Sequence, residues 1–135
     1  WKGICIVHDQ FNEHEIKSIR KNNPGIKIIA HPECPPEVIK ASDFAGSTSG
    51  MINYVKDNQP KKVMMVTECS MSDNVQVDNP KVKFIKPCNL CPHMKRITLP
   101  KILDCLKNET NEILMSKETI NKARKSVERM TEIGR

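Results

Sequence analysis

The stretch His31-Pro32-Glu33-Cys34-Pro35-Pro36 puts an imidazole, a carboxylate and a thiol within four residues and closes them with two prolines. His31 and Glu33 can work as an acid/base pair, since both side chains move protons when positioned against a substrate. The same residues also fit a polar loop in which the glutamate caps a helix. A second stretch, Ser47-Thr48-Ser49 between Gly46 and Gly50, suits an anion seat, because backbone N–H groups and hydroxyls converge where a helix starts. It equally suits an ordinary N-cap. A third, Cys88-Asn89-Leu90-Cys91, is a CxxC that fits half a zinc site, a thiol redox pair or a pair of cluster ligands. The chain has no second CxxC and no H-x3-H to complete a zinc site. Pro92, directly after Cys91, disfavours a thioredoxin-like helix start. Cys5 alone reads as a buried residue, and so does Cys105 within an amphipathic helix pattern.

The elements that must position these groups alternate between strand and helix. Apolar runs predict strands at Ile4–Val7, Ile26–Ala30, Lys62–Thr67, Val82–Ile85 and Glu112–Met115. Asn12 predicts a cap for a helix from Glu13 to Lys21, which Asn23-Pro24-Gly25 stops. Pro35-Pro36 suits the first turn of a helix through Lys40. Met51, Ile52, Tyr54 and Val55 mark another helix. Thr98 and Ser116 predict caps for two more, one through Leu106 and one carrying Ile120, Ala123, Val127, Met130 and Ile133 at helical spacing. Near-continuous apolar strands alternating with helices imply an α/β fold with a parallel sheet. In such folds chemistry gathers just past the carboxyl ends of the strands. His8, His31–Glu33, Thr67-Glu68 and Pro87–Cys91 all fall there.

The chain has 135 residues, 38% apolar and 28% charged, which suits a single soluble domain. It has no apolar run long enough to span a bilayer, so no membrane partner is expected. The opening on Trp1, with Lys2 and His8 close behind, reads as a partial chain without a signal peptide. The net charge of +6 favours anionic partners. Few aromatic residues and scattered lysines argue against nucleic acid. Six cysteines with no secretory features favour a reducing, cytoplasmic setting, where they serve metal or redox chemistry.

The order of these motifs carries more than any one of them. Trp1-Lys-Gly-Ile-Cys5-Ile-Val-His8 is followed by His31-Pro-Glu-Cys34-Pro, then Asp43-Phe-Ala-Gly46-Ser-Thr48-Ser, then Thr67-Glu68, then Cys91-Pro-His-Met-Lys95 and Thr98-Leu99. This succession resembles the quinolinate synthase family of de novo NAD biosynthesis, over essentially the whole chain. The resemblance implies a three-layer αβα unit with a short parallel sheet, one of three pseudo-symmetric units of the family fold. Residues 1–10 would end the second unit, residues 11–115 form the third, and residues 116–135 add a C-terminal helix.

The resemblance also implies a reaction. Iminoaspartate and dihydroxyacetone phosphate condense to quinolinate, releasing phosphate and water, on a [4Fe-4S] cluster acting as Lewis acid. L-aspartate oxidase or aspartate dehydrogenase would be the upstream enzyme. Cys5 and Cys91 match cluster ligands, and Cys88 would be a non-ligating partner. His31, Pro32 and Glu33 match a substrate-binding segment, with His31 bonding substrate oxygens and Glu33 acting as acid/base. Thr48 matches a further substrate contact, and Cys34 is a bystander. The family enzyme is more than twice as long and carries a third cluster cysteine in a unit this chain lacks. The chain alone is therefore expected to be inactive. Zinc held by Cys88, Cys91 and two other ligands, or a thiol redox pair, are the competing readings.

Overall fold

A computed structural model describes residues 3–87 and 89–134. Two compact units divide at residue 97. Among the described residues the first unit contains one sheet of four parallel strands: β1 (Lys27–Ala30), β2 (Phe44–Ala45), β3 (Lys62–Val66) and β4 (Lys83–Phe84), in the order β2-β1-β3-β4. Helices α1 (Glu13–Asn22), α2 (Pro36–Ala41), α3 (Thr48–Asn58) and α4 (Cys69–Asp78) complete it. The second unit holds α5 (Leu99–Asn108) and α6 (Lys117–Ile133).

Side chains alternate across a strand, and here both faces are covered. Ile28, Ala30, Met64 and Val66 face one way and pack with Val7, Phe11, Ile16 and Val38. Ile29, Val63 and Met65 face the other way and pack with Met51, Val55, Val75 and Phe84. The sheet is thus the middle layer of an αβα sandwich, with α1 and α2 on one side and α3 and α4 on the other. This is the fold class expected from the alternating pattern.

Local signals set several boundaries. The Asn12 side chain accepts from the backbone N–H of Glu15 at 2.9 Å and starts α1. Gly25, at φ 77°, makes the turn into β1 with a backbone that other residues rarely adopt. Pro36 opens α2, where its missing N–H costs nothing. Ser116 caps α6 by accepting from Thr119 N–H at 3.1 Å. Thr98 holds the N-cap position of α5 without a side-chain cap bond.

Two expected strands are absent. Ile4–Val7 forms no strand. Its carbonyls are used locally: Asp9 N–H donates to Cys5 and Gln10 N–H to Val7, turning the chain into a short 3-10 segment at His8–Gln10. Only Val7 of its β-branched residues is buried, while Ile4 and Ile6 remain exposed. Glu112–Met115 is also irregular, and Ile113, Leu114 and Met115 are all exposed. An apolar run becomes a strand only beside another strand.

Asp43 fixes β2 against β1. Its Oδ2 accepts from Ile28 N–H at 2.8 Å and from Arg20 Nη1 at 3.0 Å, and its Oδ1 accepts from Lys27 Nζ at 3.4 Å. Burial pushes this carboxyl upward, but the Ile28 N–H and the two cations outweigh it and hold the pKa below the ordinary value. Asp43→Ala leaves the Ile28 N–H without its acceptor. A loss of roughly 1–3 kcal/mol is expected in urea unfolding, with an unchanged m-value.

Candidate functional site

The register brings the strand ends together. Ala30 of β1 pairs with Val66 of β3 on one side and Ala45 of β2 on the other. Residues 31, 46 and 67 therefore leave the sheet along one edge. His31 N–H still donates to the Val66 carbonyl at 3.2 Å, and Gly46 N–H to the Ala30 carbonyl at 3.1 Å. Just past Ala30 the chain makes a tight turn, closed by Cys34 N–H on the His31 carbonyl at 3.0 Å. That turn leaves Pro32 and Glu33 exposed.

A buried histidine stands at the centre. His8 is 7% exposed. Its Nδ1 lies 3.0 Å from Glu33 Oε2 and its Nε2 lies 3.0 Å from Thr67 Oγ1. With Glu33 ionised, Nδ1–H donates to the carboxylate and the neutral ring accepts the Thr67 hydroxyl proton at Nε2. Burial lowers the His8 pKa. The Glu33 hydrogen bond opposes that, and the neighbouring His31 reinforces it. The His31 ring stacks on His8 with centroids 4.6 Å apart and planes within 7°. Glu33 N–H donates to His31 Nδ1 at 3.3 Å. That bond uses a lone pair on His31 Nδ1, which leaves Nε2 as the ring's donor atom.

The cysteines separate by environment. Cys34 is buried in the core, donates its thiol to the Val66 carbonyl at 3.4 Å, and has its pKa pushed up by burial to about 11. Cys5 is half-buried, and its sulfur lies within 4.8 Å of the ligating atoms of His8 and Glu33. A cleft of about 600 Å³ lined by Gly3, Ile4, Cys5 and Glu33 opens onto it. Cys91 is half-buried and packs against the same core cluster as Cys5. Its loop is tied to the start of α4 by Cys69 N–H on the Asn89 carbonyl at 3.0 Å and by Lys95 Nζ on Ser70 Oγ at 2.7 Å. Cys88 lies outside the described residues. Cys105 is only half-buried and donates to the Thr110 carbonyl at 3.0 Å, so it is not the buried apolar group expected.

Thr48 is the exposed first residue of α3. The preceding Ser47 supplies the cap, accepting from Gly50 N–H at 3.2 Å. Gly46 gives the loop its room: a Cβ there would stand 2.7 Å from the Phe44 ring, which stacks on Tyr54. Sequence reasoning named His31, Glu33 and Thr48 but left His8 and Thr67 without a role. The signal for them was their position after apolar runs, with His8 three residues beyond Cys5.

The fold and edge define an α/β unit with an acid/base cluster and thiols at the carboxyl end of a parallel sheet. The family of quinolinate synthetase A proteins matches residues 1–132, and the chain belongs to that family. It is 58% identical to a quinolinate synthase of Sinorhizobium fredii, over 98% of this chain and 37% of that protein. It is 56% identical to the quinolinate synthase of Sinorhizobium medicae, with the same coverage. It is 51% identical to that of Xylella fastidiosa, over 98% of this chain and 39% of that protein. The chain thus spans under two fifths of the length of these curated relatives. Among the described residues no helix is long and apolar enough to cross a membrane.

A sign follows for the titration of His8. Its folded pKa lies below the ordinary 6.5, so the unfolded chain takes up the proton first. Stability present above 6.5 is lost as the pH falls through the lowered folded value. Glu33→Gln removes the carboxylate that raises the pKa, so His8 should titrate lower still. NMR titration of the ring carbons checks both the direction and the difference.

Proposed function

We propose that this chain supplies part of a cytoplasmic quinolinate synthase, which joins iminoaspartate and dihydroxyacetone phosphate into quinolinate for NAD biosynthesis. One observation carries the reading: His8, His31, Glu33 and Thr67 converge on one sheet edge with the Cys5 thiol beside them. In this reading residues 1–10 close one αβα unit, residues 11–115 form the next, and residues 116–135 add a helix. The substrate would come from L-aspartate oxidase or aspartate dehydrogenase, and neither nucleic acid nor membrane takes part.

Cys5 and Cys91 fit two of the thiolate ligands of an iron–sulfur cluster. Cys5 and Cys91 are accessible soft ligands on one core cluster, whereas the buried Cys34 thiol resists ionisation. Cys5 and Cys91 would supply two of the ligands of the [4Fe-4S] group. When bound, it supplies a Lewis-acidic iron. The chain's own residues do the rest. His31 donates from Nε2 to a carboxylate or carbonyl oxygen. Glu33 is exposed on the cleft and takes a proton from substrate or returns one. His8 holds the Glu33 carboxylate in place and is itself held by Thr67. Thr48 and the N-terminus of α3 suit a phosphate or carboxylate. The +6 charge draws both anionic substrates.

Anaerobic reconstitution tests the cluster. Iron and sulfide in equal amounts are expected, and Cys91→Ala and Cys5→Ala should each lose them. Zinc in their place would support a structural module, and no metal would show that more of the enzyme is needed to hold the cluster. The chain alone is expected to form no quinolinate. Combined with the segments of the Sinorhizobium fredii enzyme outside the matched region, it should form quinolinate. Glu33→Gln in that assembly should lower kcat by about 10²–10⁴.

A further inference from the structure

We propose that Lys95 is a positioning residue for Cys91, clamping the loop of that thiol to the start of α4. The role it gives Cys91 as a cluster ligand rests on the quinolinate synthase reading; the clamp itself does not. Cys91 belongs to no strand or helix and lies between β4 and a 3-10 turn at Met94–Arg96. A side chain on such a segment keeps its place only where the segment is tied down. Lys95 ties it twice. Its backbone N–H donates to the Cys91 carbonyl at 3.1 Å, closing the turn from Cys91 to Lys95. Its Nζ reaches across to α4, donating to Ser70 Oγ at 2.7 Å and standing 3.8 Å from Glu68 Oε1.

The receiving end is built for the ammonium. Glu68 caps α4, its Oε2 accepting from Ser70 N–H at 2.8 Å. A hydroxyl both accepts and donates. Ser70 Oγ accepts from Lys95 and donates to Glu68 Oε1 at 3.4 Å. The Glu68 side chain is only 12% exposed, and the lysine charge offsets part of its lost hydration. Before Cys91 the same loop is joined to α4 by Lys86 Nζ on Asp73 and by Cys69 N–H on the Asn89 carbonyl. Lys95 is the tie beyond Cys91, so the thiol is bracketed.

The clamp starts where the acid/base groups start. Thr67, which holds His8, directly precedes Glu68. The end of β3 thus sets His8 through residue 67 and Cys91 through residues 68 and 70. Thiol and imidazole share one frame.

The test is alkylation of the metal-free, reduced chain with iodoacetamide, timed for each cysteine by peptide mass spectrometry. Lys95 is half exposed, so a modest effect is expected. Lys95→Met should raise the Cys91 rate about 3–10-fold and leave Cys5 and Cys34 unchanged. Ser70→Ala, which keeps the lysine charge, should also raise it. Adding Ser70→Ala to Lys95→Met should change little more, because both break one clamp. Lys95→Arg should restore most of the protection, since it keeps a cation that donates to Ser70 and Glu68. An unchanged Cys91 rate in Lys95→Met would overturn the proposal. A parallel rise at Cys5 and Cys34 would overturn it too, by showing general loosening. In the assembly with the remaining segments of the enzyme, a chelator should strip reconstituted iron from Lys95→Met about 3–10-fold faster. An assembly that takes up no iron would count against the quinolinate synthase reading, while the alkylation rates still decide the clamp.

Discussion

The parallel pairing of β1 with β3 is the constraint on which the rest depends. Four consecutive pairs, Lys27 with Val63 through Ala30 with Val66, bring two segments far apart in sequence to the same edge. Both strands are covered on both faces. A slip by one residue would push their side chains into the wrong layers. Burial on two faces therefore fixes where residues 31 and 67 emerge. His8 is placed by both, through Glu33 on one side and Thr67 on the other. The site is thus held by the core and not by its loops.

The same burial sorts chemically identical groups. Cys34 and Cys5 are both thiols near the same edge. One points into the apolar layer and bonds a carbonyl, and the other faces a cleft. The environment, not the residue type, decides which is available as a ligand. Likewise His8 and His31 are neighbouring imidazoles with different partners. Their stacked rings disfavour two positive charges at once.

Much of the architecture was legible because its signals are local. Asn12, Pro36 and Ser116 mark helix starts by rules that act within one turn. The strands β1 and β3 were legible as apolar runs. Helix α4 was not: Ser70, Ser72, Asp73, Asn74 and Val75 are weak helix formers with no clear stripe. Strand β2 has only two residues and owes its place to Asp43 and β1. Ile4–Val7 and Glu112–Met115 looked like strands because composition cannot report a missing neighbour. In the site, His31 and Glu33 stood out because only Pro32 separates them in sequence. The bond between His8 and Thr67 joins residues 59 apart, and only the sheet register makes it visible.

Gly46 shows how a site can be specified by an atom that is absent. The Phe44 ring lies where a side chain at residue 46 would begin, and it stacks on Tyr54. Any larger residue must push on a stacked pair of rings rooted in β2 and α3. Strain there would travel along the loop to Ser47 and Thr48, whose backbone opens α3. The distance between that helix start and His31 is therefore set partly by aromatic packing. Substitutions at Phe44 or Tyr54 would shift where α3 begins without removing any polar group from the edge.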